Sequence, residues 1–181
     1  MFVEAHGQRV HTISFGAGER TIVGLSGAIG TWEIWQQPFE LLSRRHRVVA
    51  YDHFGAGETH VPPELVTFDN QVELLEAVLD AHEVERCVLA GDSTMVAVAV
   101  EAALRHPGPD RSPGARRRGV VHRPSRVTEG FVAGLRSDFE ATIDSFVAVC
   151  IPEDDSSHLR EWLRDIIRRT GAERAAALAE S

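Results

Sequence analysis

Residues 87–106 read Cys87-Val88-Leu89-Ala90-Gly91-Asp92-Ser93-Thr94-Met95-Val96-Ala97-Val98-Ala99-Val100-Glu101-Ala102-Ala103-Leu104-Arg105-His106. A short apolar run stops at Gly91-Asp92-Ser93-Thr94, and an apolar helical run follows with no turn between them. The pattern predicts a buried strand that bends sharply into a helix, with Ser93 at the corner. Such a corner lifts a hydroxyl clear of a sheet. It also leaves the next backbone N–H groups free at a helix start, where they can stabilise an oxyanion.

Working outward toward the N-terminus, residues 68–82 form an amphipathic helix, with Val72, Leu75, Val78, Leu79 and His82 at helical spacing. Residues 52–63 are a Gly-bearing loop closed by Pro62-Pro63, and 46–51 are a buried strand. Residues 31–42 are a helix with Trp32, Trp35, Phe39 and Leu42 inward, bent or started late by Pro38. The short strand 21–25 runs into Ser26-Gly27-Ala28, and 2–5 with 9–15 make a hairpin around Gly7-Gln8. Strands alternating with helices, the later strands apolar throughout, predict an α/β fold: a mostly parallel sheet with helices on both faces.

Downstream the texture changes. Residues 107–118 are rich in Pro, Gly and Arg with no apolar period, and only 119–121 offer a marginal strand. Order returns after Thr128, where Phe131, Leu135, Phe139, Ile143, Phe146 and Val147 stripe one helix ended by Pro152. Asp155 or Ser156 can cap a second helix bearing Leu159, Trp162, Leu163, Ile166 and Ile167, and an Ala-rich third begins at 172. The expected division is therefore a core over 1–127, irregular at 107–124, and a helical lid over 128–181.

The composition suits one globular domain: 181 residues, 43% hydrophobic, net charge −8. That charge disfavours nucleic acid or an anionic membrane as the main partner. All 19 basic residues are arginine, and the Arg116-Arg117-Arg118 run reads as solvated. No apolar run reaches membrane-spanning length, and the first residues lack a signal-peptide pattern. Cys87 and Cys150 read as buried thiols rather than a bridge, which fits the cytoplasm.

At Ser26-Gly27-Ala28, at Asp52 to Thr59 and at Gly91 to Met95 the chain resembles the α/β-hydrolase family, cofactor-free and metal-free serine hydrolases with a helical lid. The family's strand-end His-Gly is Ser26-Gly27 here. Its Asp-x-x-Gly-x-Gly-x-Ser turn matches Asp52, Gly55 and Gly57, with Thr59 in the last place. Its Gly-x-Ser-x-Gly elbow matches Gly91 and Ser93, whereas Met95 stands where the closing glycine belongs and must find room or distort the turn. The resemblance implies Ser93 as nucleophile, with the Ala28 and Thr94 amides as oxyanion donors, and a small-molecule substrate, an ester, lactone or related carbonyl compound. In that family the acid and the base histidine lie beyond the lid, so the resemblance implies a truncated member lacking both and incomplete in its sheet. A local reading-frame slip recovering near Pro124 would account for the anomalous 107–124 segment.

The alternative is a non-catalytic ligand-binding or regulatory protein on the same scaffold, favoured by Met95 and Ser26. Asp92 as nucleophile fits less well, because the spacing puts Ser93 at the corner. His158 reads as solvated, and His106 or His122 as a surrogate base is a remote alternative. His6, His11, His46, His53 and His60 are too scattered for a metal site. Asp52 is read as holding its own turn by local hydrogen bonds, and Gly55-Ala56-Gly57 as no dinucleotide loop, since no helix opens there. Trp32, Trp35 and Trp162 are read as core.

Overall fold

The structure is a computed structural model describing residues 1–106 and 126–180. The expected irregular segment 107–124, its marginal strand and His122 lie outside the described residues. Five strands, β1 (Phe2–Ala5), β2 (Gln8–Phe15), β3 (Thr21–Leu25), β4 (Arg47–Tyr51) and β5 (Cys87–Gly91), form one sheet in the order β1-β2-β4-β3-β5. β3 pairs in parallel with β4 and β5, while β2 pairs antiparallel with β1 and β4. The β1–β2 hairpin turns at His6 and Gly7, both with positive φ (51° and 68°), the twist that a tight hairpin demands.

Side chains alternate cleanly across this sheet. Val23, Leu25, Val49 and Tyr51 face α2 (Phe68–Ala81) and α3 (Met95–Arg105), and with Val72, Leu75, Val78, Val98 and Ala102 they build the main core. Val48 and Ala50 face the opposite way, onto Phe39 of α1 (Gln36–Leu42) and onto Trp32, Trp35 and Leu42. The expected helix over 31–42 is split: a 3-10 turn at Trp32–Trp35 precedes α1, where Pro38 falls in the first turn. Gly24 supplies the clearance, because a Cβ there would lie 2.8 Å from both the Phe39 and Trp35 rings. Thr67 caps α2 by accepting the Asn70 N–H at 3.2 Å.

Four helices follow: α4 (Arg126–Ser137), α5 (Phe139–Cys150), α6 (Ser157–Thr170) and α7 (Ala172–Glu180). The single helix expected over 131–147 is two, because the Asp138 carboxylate caps a new start by accepting the Ala141 N–H. The apolar stripe runs on across the break, since both helices pack on one cluster holding Leu135, Ile143, Val147 and Ile167. Ile29 joins that cluster from the loop after β3, and Leu178 of α7 joins the main core, so the helical layer closes over the C-terminal ends of β3 and β5. Cys87 is half-buried and Cys150 exposed, both free thiols; the expectation of a buried Cys150 is corrected by its place at the open end of α5. No helix among the described residues is long and apolar enough to cross a membrane.

Candidate active site

Two loops leave the sheet side by side. Leu25 and Gly91 are parallel register partners, and the Asp92 N–H extends that pairing by donating to the Leu25 carbonyl at 3.0 Å. Residues 26–28 and 92–94 therefore emerge together at the carboxyl ends of parallel strands, where open α/β sheets place ligand sites.

Ser93 carries the strain of the corner, with φ +52°. A left-handed conformation at a non-glycine residue is uncommon and is retained only where the surroundings impose it. Here β5 must reverse into α3 within three residues, and the Met95 N–H already bonds the Asp92 carbonyl at 3.1 Å. A Cβ on Gly91 would come within 2.9 Å of the Val96 Cα, so only glycine lets the helix depart directly over the strand. Met95 distorts nothing. Its side chain is 3% exposed and fills the main core beside Val98 and Ala99.

Ser93 is exposed and opens, with Ala28 and Thr94, onto a cavity of about 630 Å³ between the sheet ends and the helical layer. The Ala28 and Thr94 amides have no hydrogen-bond partner among the described residues. Gly27 is what lets the loops close up: a Cβ there would lie 2.9 Å from Ser93 Cβ and 3.0 Å from Asp92 Oδ2. Ser26, buried, donates from Oγ to the Thr31 carbonyl at 2.6 Å and ties off the loop.

His53 holds the same loop from beneath. Its Nε2 lies 3.1 Å from the Gly27 carbonyl, which also accepts the Gly30 N–H at 2.8 Å. Nδ1 faces the Phe54 carbonyl at the longer distance of 3.4 Å, so the ring proton is assigned to Nε2, which makes the shorter contact. Complete burial pushes the His53 pKa down, outweighing the opposing pull of its two carbonyl contacts and of Asp52, which keeps the ring neutral. In a trans peptide C=O and N–H point opposite ways. Fixing the Gly27 oxygen therefore aims the Ala28 N–H away from His53.

Asp52 does hold its turn, and more besides. One carboxylate oxygen accepts the Trp32 N–H at 2.9 Å; the other accepts the Glu58 N–H at 3.1 Å and meets His11 Nδ1 at 2.9 Å. Gly57, at φ +46°, is required because a Cβ would stand 2.4 Å from that carboxylate. Thr59, in the position of the family's serine, accepts the His11 backbone N–H at 2.9 Å.

Other expectations separate. His158 is exposed, and His106 pairs with Glu76 at 3.0 Å at the far end of α3. No histidine lines the cavity, and no cluster of three metal-ligating side chains occurs, among the described residues. Trp162 is not core: it is 40% exposed and forms cavity wall. Sequence reasoning also missed Cys150 as a cavity residue. Although the residue is exposed, partial desolvation against the cavity wall pushes its thiol up, and the neighbouring Asp92 charge adds to the effect.

Comparison with known proteins bears on the same residues. A family model described as alpha/beta hydrolase fold matches residues 20–111. The Karrikin insensitive 2 receptor B of Petunia hybrida is 32% identical over 111 residues, 58% of this chain and 38% of that one. The 2-hydroxy-6-oxo-2,4-heptadienoate hydrolase of Pseudomonas putida is 32% identical over 108 residues, 58% of this chain and 39% of that one. An esterase from Exiguobacterium antarcticum superposes with TM-score 0.82 at 16% identity, over 99% of this chain and 72% of its own, a likeness of fold alone. The chain spans about a third of the length of the curated relatives it matches, 34 to 38% for the first three. The matched stretch takes in the β3 loop, the Asp52 turn and the Ser93 elbow together, and by it this chain belongs to the alpha/beta hydrolase fold family.

Proposed function

We propose that the chain is the scaffold of a serine hydrolase acting on ester, lactone or related carbonyl substrates. Ser93 Oγ attacks the carbonyl carbon, the carbonyl π pair moves onto oxygen, and the Ala28 and Thr94 N–H groups hold the resulting oxyanion. The hydroxyl proton goes to a base, which returns it to the leaving group as the acyl-enzyme forms. The single observation that carries this reading is the positive φ of Ser93 at a cavity shared with two amides that have no partner among the described residues. The described residues put no histidine in that cavity, so ester turnover by this chain is expected near background. In this reading residues 128–181 are the lid over a core of residues 1–127, and the free thiols favour the cytoplasm.

A fluorophosphonate probe tests the assignment. Slow labelling that disappears in Ser93→Ala and quickens on adding imidazole, an external base, supports it. No labelling with or without imidazole overturns it. The second reading, a ligand-binding or regulatory module, is favoured by a cavity in which the described residues place no histidine and by the likeness to a protein named as a receptor. It predicts that the folded chain takes up ligand without ever reacting with the probe.

A further inference from the structure

On the reading that Ser93 is the nucleophile, we propose that its cavity takes neutral esters or lactones with an apolar acyl part. Asp92 excludes substrates that carry a negative charge. The walls facing Ser93 are Ile29, Ile34, Phe131, Phe146, Trp162 and Leu163, which reward burial of hydrocarbon.

Charge decides the rest. Asp92 is the one acidic or basic side chain among the described lining residues. The chain is not short of cations, and α6, which supplies Trp162 and Leu163 to the wall, carries four arginines. Each is engaged elsewhere. Arg160 donates to the Ile151 and Glu153 carbonyls at 2.8 and 3.1 Å, and Arg168 pairs with Glu140 at 2.7 Å. Arg164 pairs with Asp144, and Arg169 with Glu33. A substrate carboxylate would thus lose water to an apolar wall, find no cation among the described lining residues, and sit near a like charge.

Trp162 provides the readout. Dimethyl adipate and monomethyl adipate share one skeleton and differ by a methyl group and a charge; both are titrated at pH 8 against intrinsic fluorescence. The neutral diester is expected to bind about tenfold more tightly, with the signal lost in Trp162→Phe and the ratio falling at least about threefold in Asp92→Asn. Equal or tighter binding of the monoester, a ratio unchanged in Asp92→Asn, or no saturable quenching by either compound overturns the proposal. Fluorophosphonate labelling of the same preparation separates the two readings. Labelling without discrimination removes this inference and leaves the nucleophile; discrimination without labelling removes the nucleophile and leaves a site for neutral ligands.

Discussion

The His53 ring nitrogen Nε2 lies 3.1 Å from the Gly27 carbonyl oxygen, beneath the peptide whose other face is the Ala28 N–H. A buried neutral imidazole thus fixes the orientation of the peptide that carries the N–H of Ala28, a cavity-lining residue, and with the Gly30 N–H it polarises that amide. His53 is a positioning residue on this account. His53→Gln retains a donor near Nε2 and is expected to label with fluorophosphonate within about threefold of the parent rate. His53→Leu loses the donor, and labelling should slow by about tenfold, less than the loss of an oxyanion donor itself. Dimethyl adipate affinity should stay unchanged in both. Equal labelling rates in the two variants would assign His53 to the core alone.

Burial of His53 also makes stability depend on pH. Its folded pKa lies below the ordinary value near 6.5, so below that pH the unfolded chain binds a proton that the folded chain refuses. Stability is therefore complete above about pH 7.5 and declines as pH falls through the unfolded pKa toward the folded one. His82, lowered first by burial and then by Arg47 and the N-terminal amine, acts in the same direction. Between pH 7.5 and 5.5 His53 alone removes up to about 1.4 kcal/mol. Urea unfolding at the two pH values measures this, and the difference should shrink in His53→Gln.

Met95 occupies the position of the family's closing glycine, yet restoring glycine is expected to harm this chain. The side chain is 3% exposed and packed among Val98, Ala99 and Ala102 at the start of α3. Met95→Gly opens a cavity and adds backbone freedom to a helix, together about 3 to 5 kcal/mol of lost stability. A urea midpoint equal to or above that of the parent would show that the core does not rely on this residue.

How much of this could be read from the chain depends on how local the cause is. The strands near Val23, Val49 and Leu89 were legible because each is a short apolar run between turn residues, and the Ser93 corner because strand and helix abut without a linker. The α4–α5 break was hidden, since the helices share an apolar face and Asp138 looks like one more polar position on a longer helix. Trp162 and Cys150 read as interior by residue type; their placement on a cavity wall depends on how the helical layer meets the sheet. His53 was the least legible. Its partner Gly27 is 26 residues away, and nothing in the intervening sequence signals that two adjacent parallel strands bring them together.

Gly27 offers the sharpest test of how closely the two loops must approach. A Cβ at this position meets Ser93 Cβ at 2.9 Å and Asp92 Oδ2 at 3.0 Å; the first is anchored to the backbone and cannot swing aside. Gly27→Ala must therefore displace either the loop bearing Ala28 or the elbow bearing Ser93. On the proposed reading of Ser93 as nucleophile and the Ala28 N–H as oxyanion donor, a shift on the order of 1 Å between them slows reaction by about a hundredfold. Gly130→Ala is the control: it lies within α4, has no neighbour within 4 Å of the added carbon, and should gain about 0.5 to 1 kcal/mol of stability. Labelling rates and urea midpoints of both variants decide the matter. A Gly27→Ala protein that labels as fast as Gly130→Ala would show that the two loops are not coupled in the reacting state.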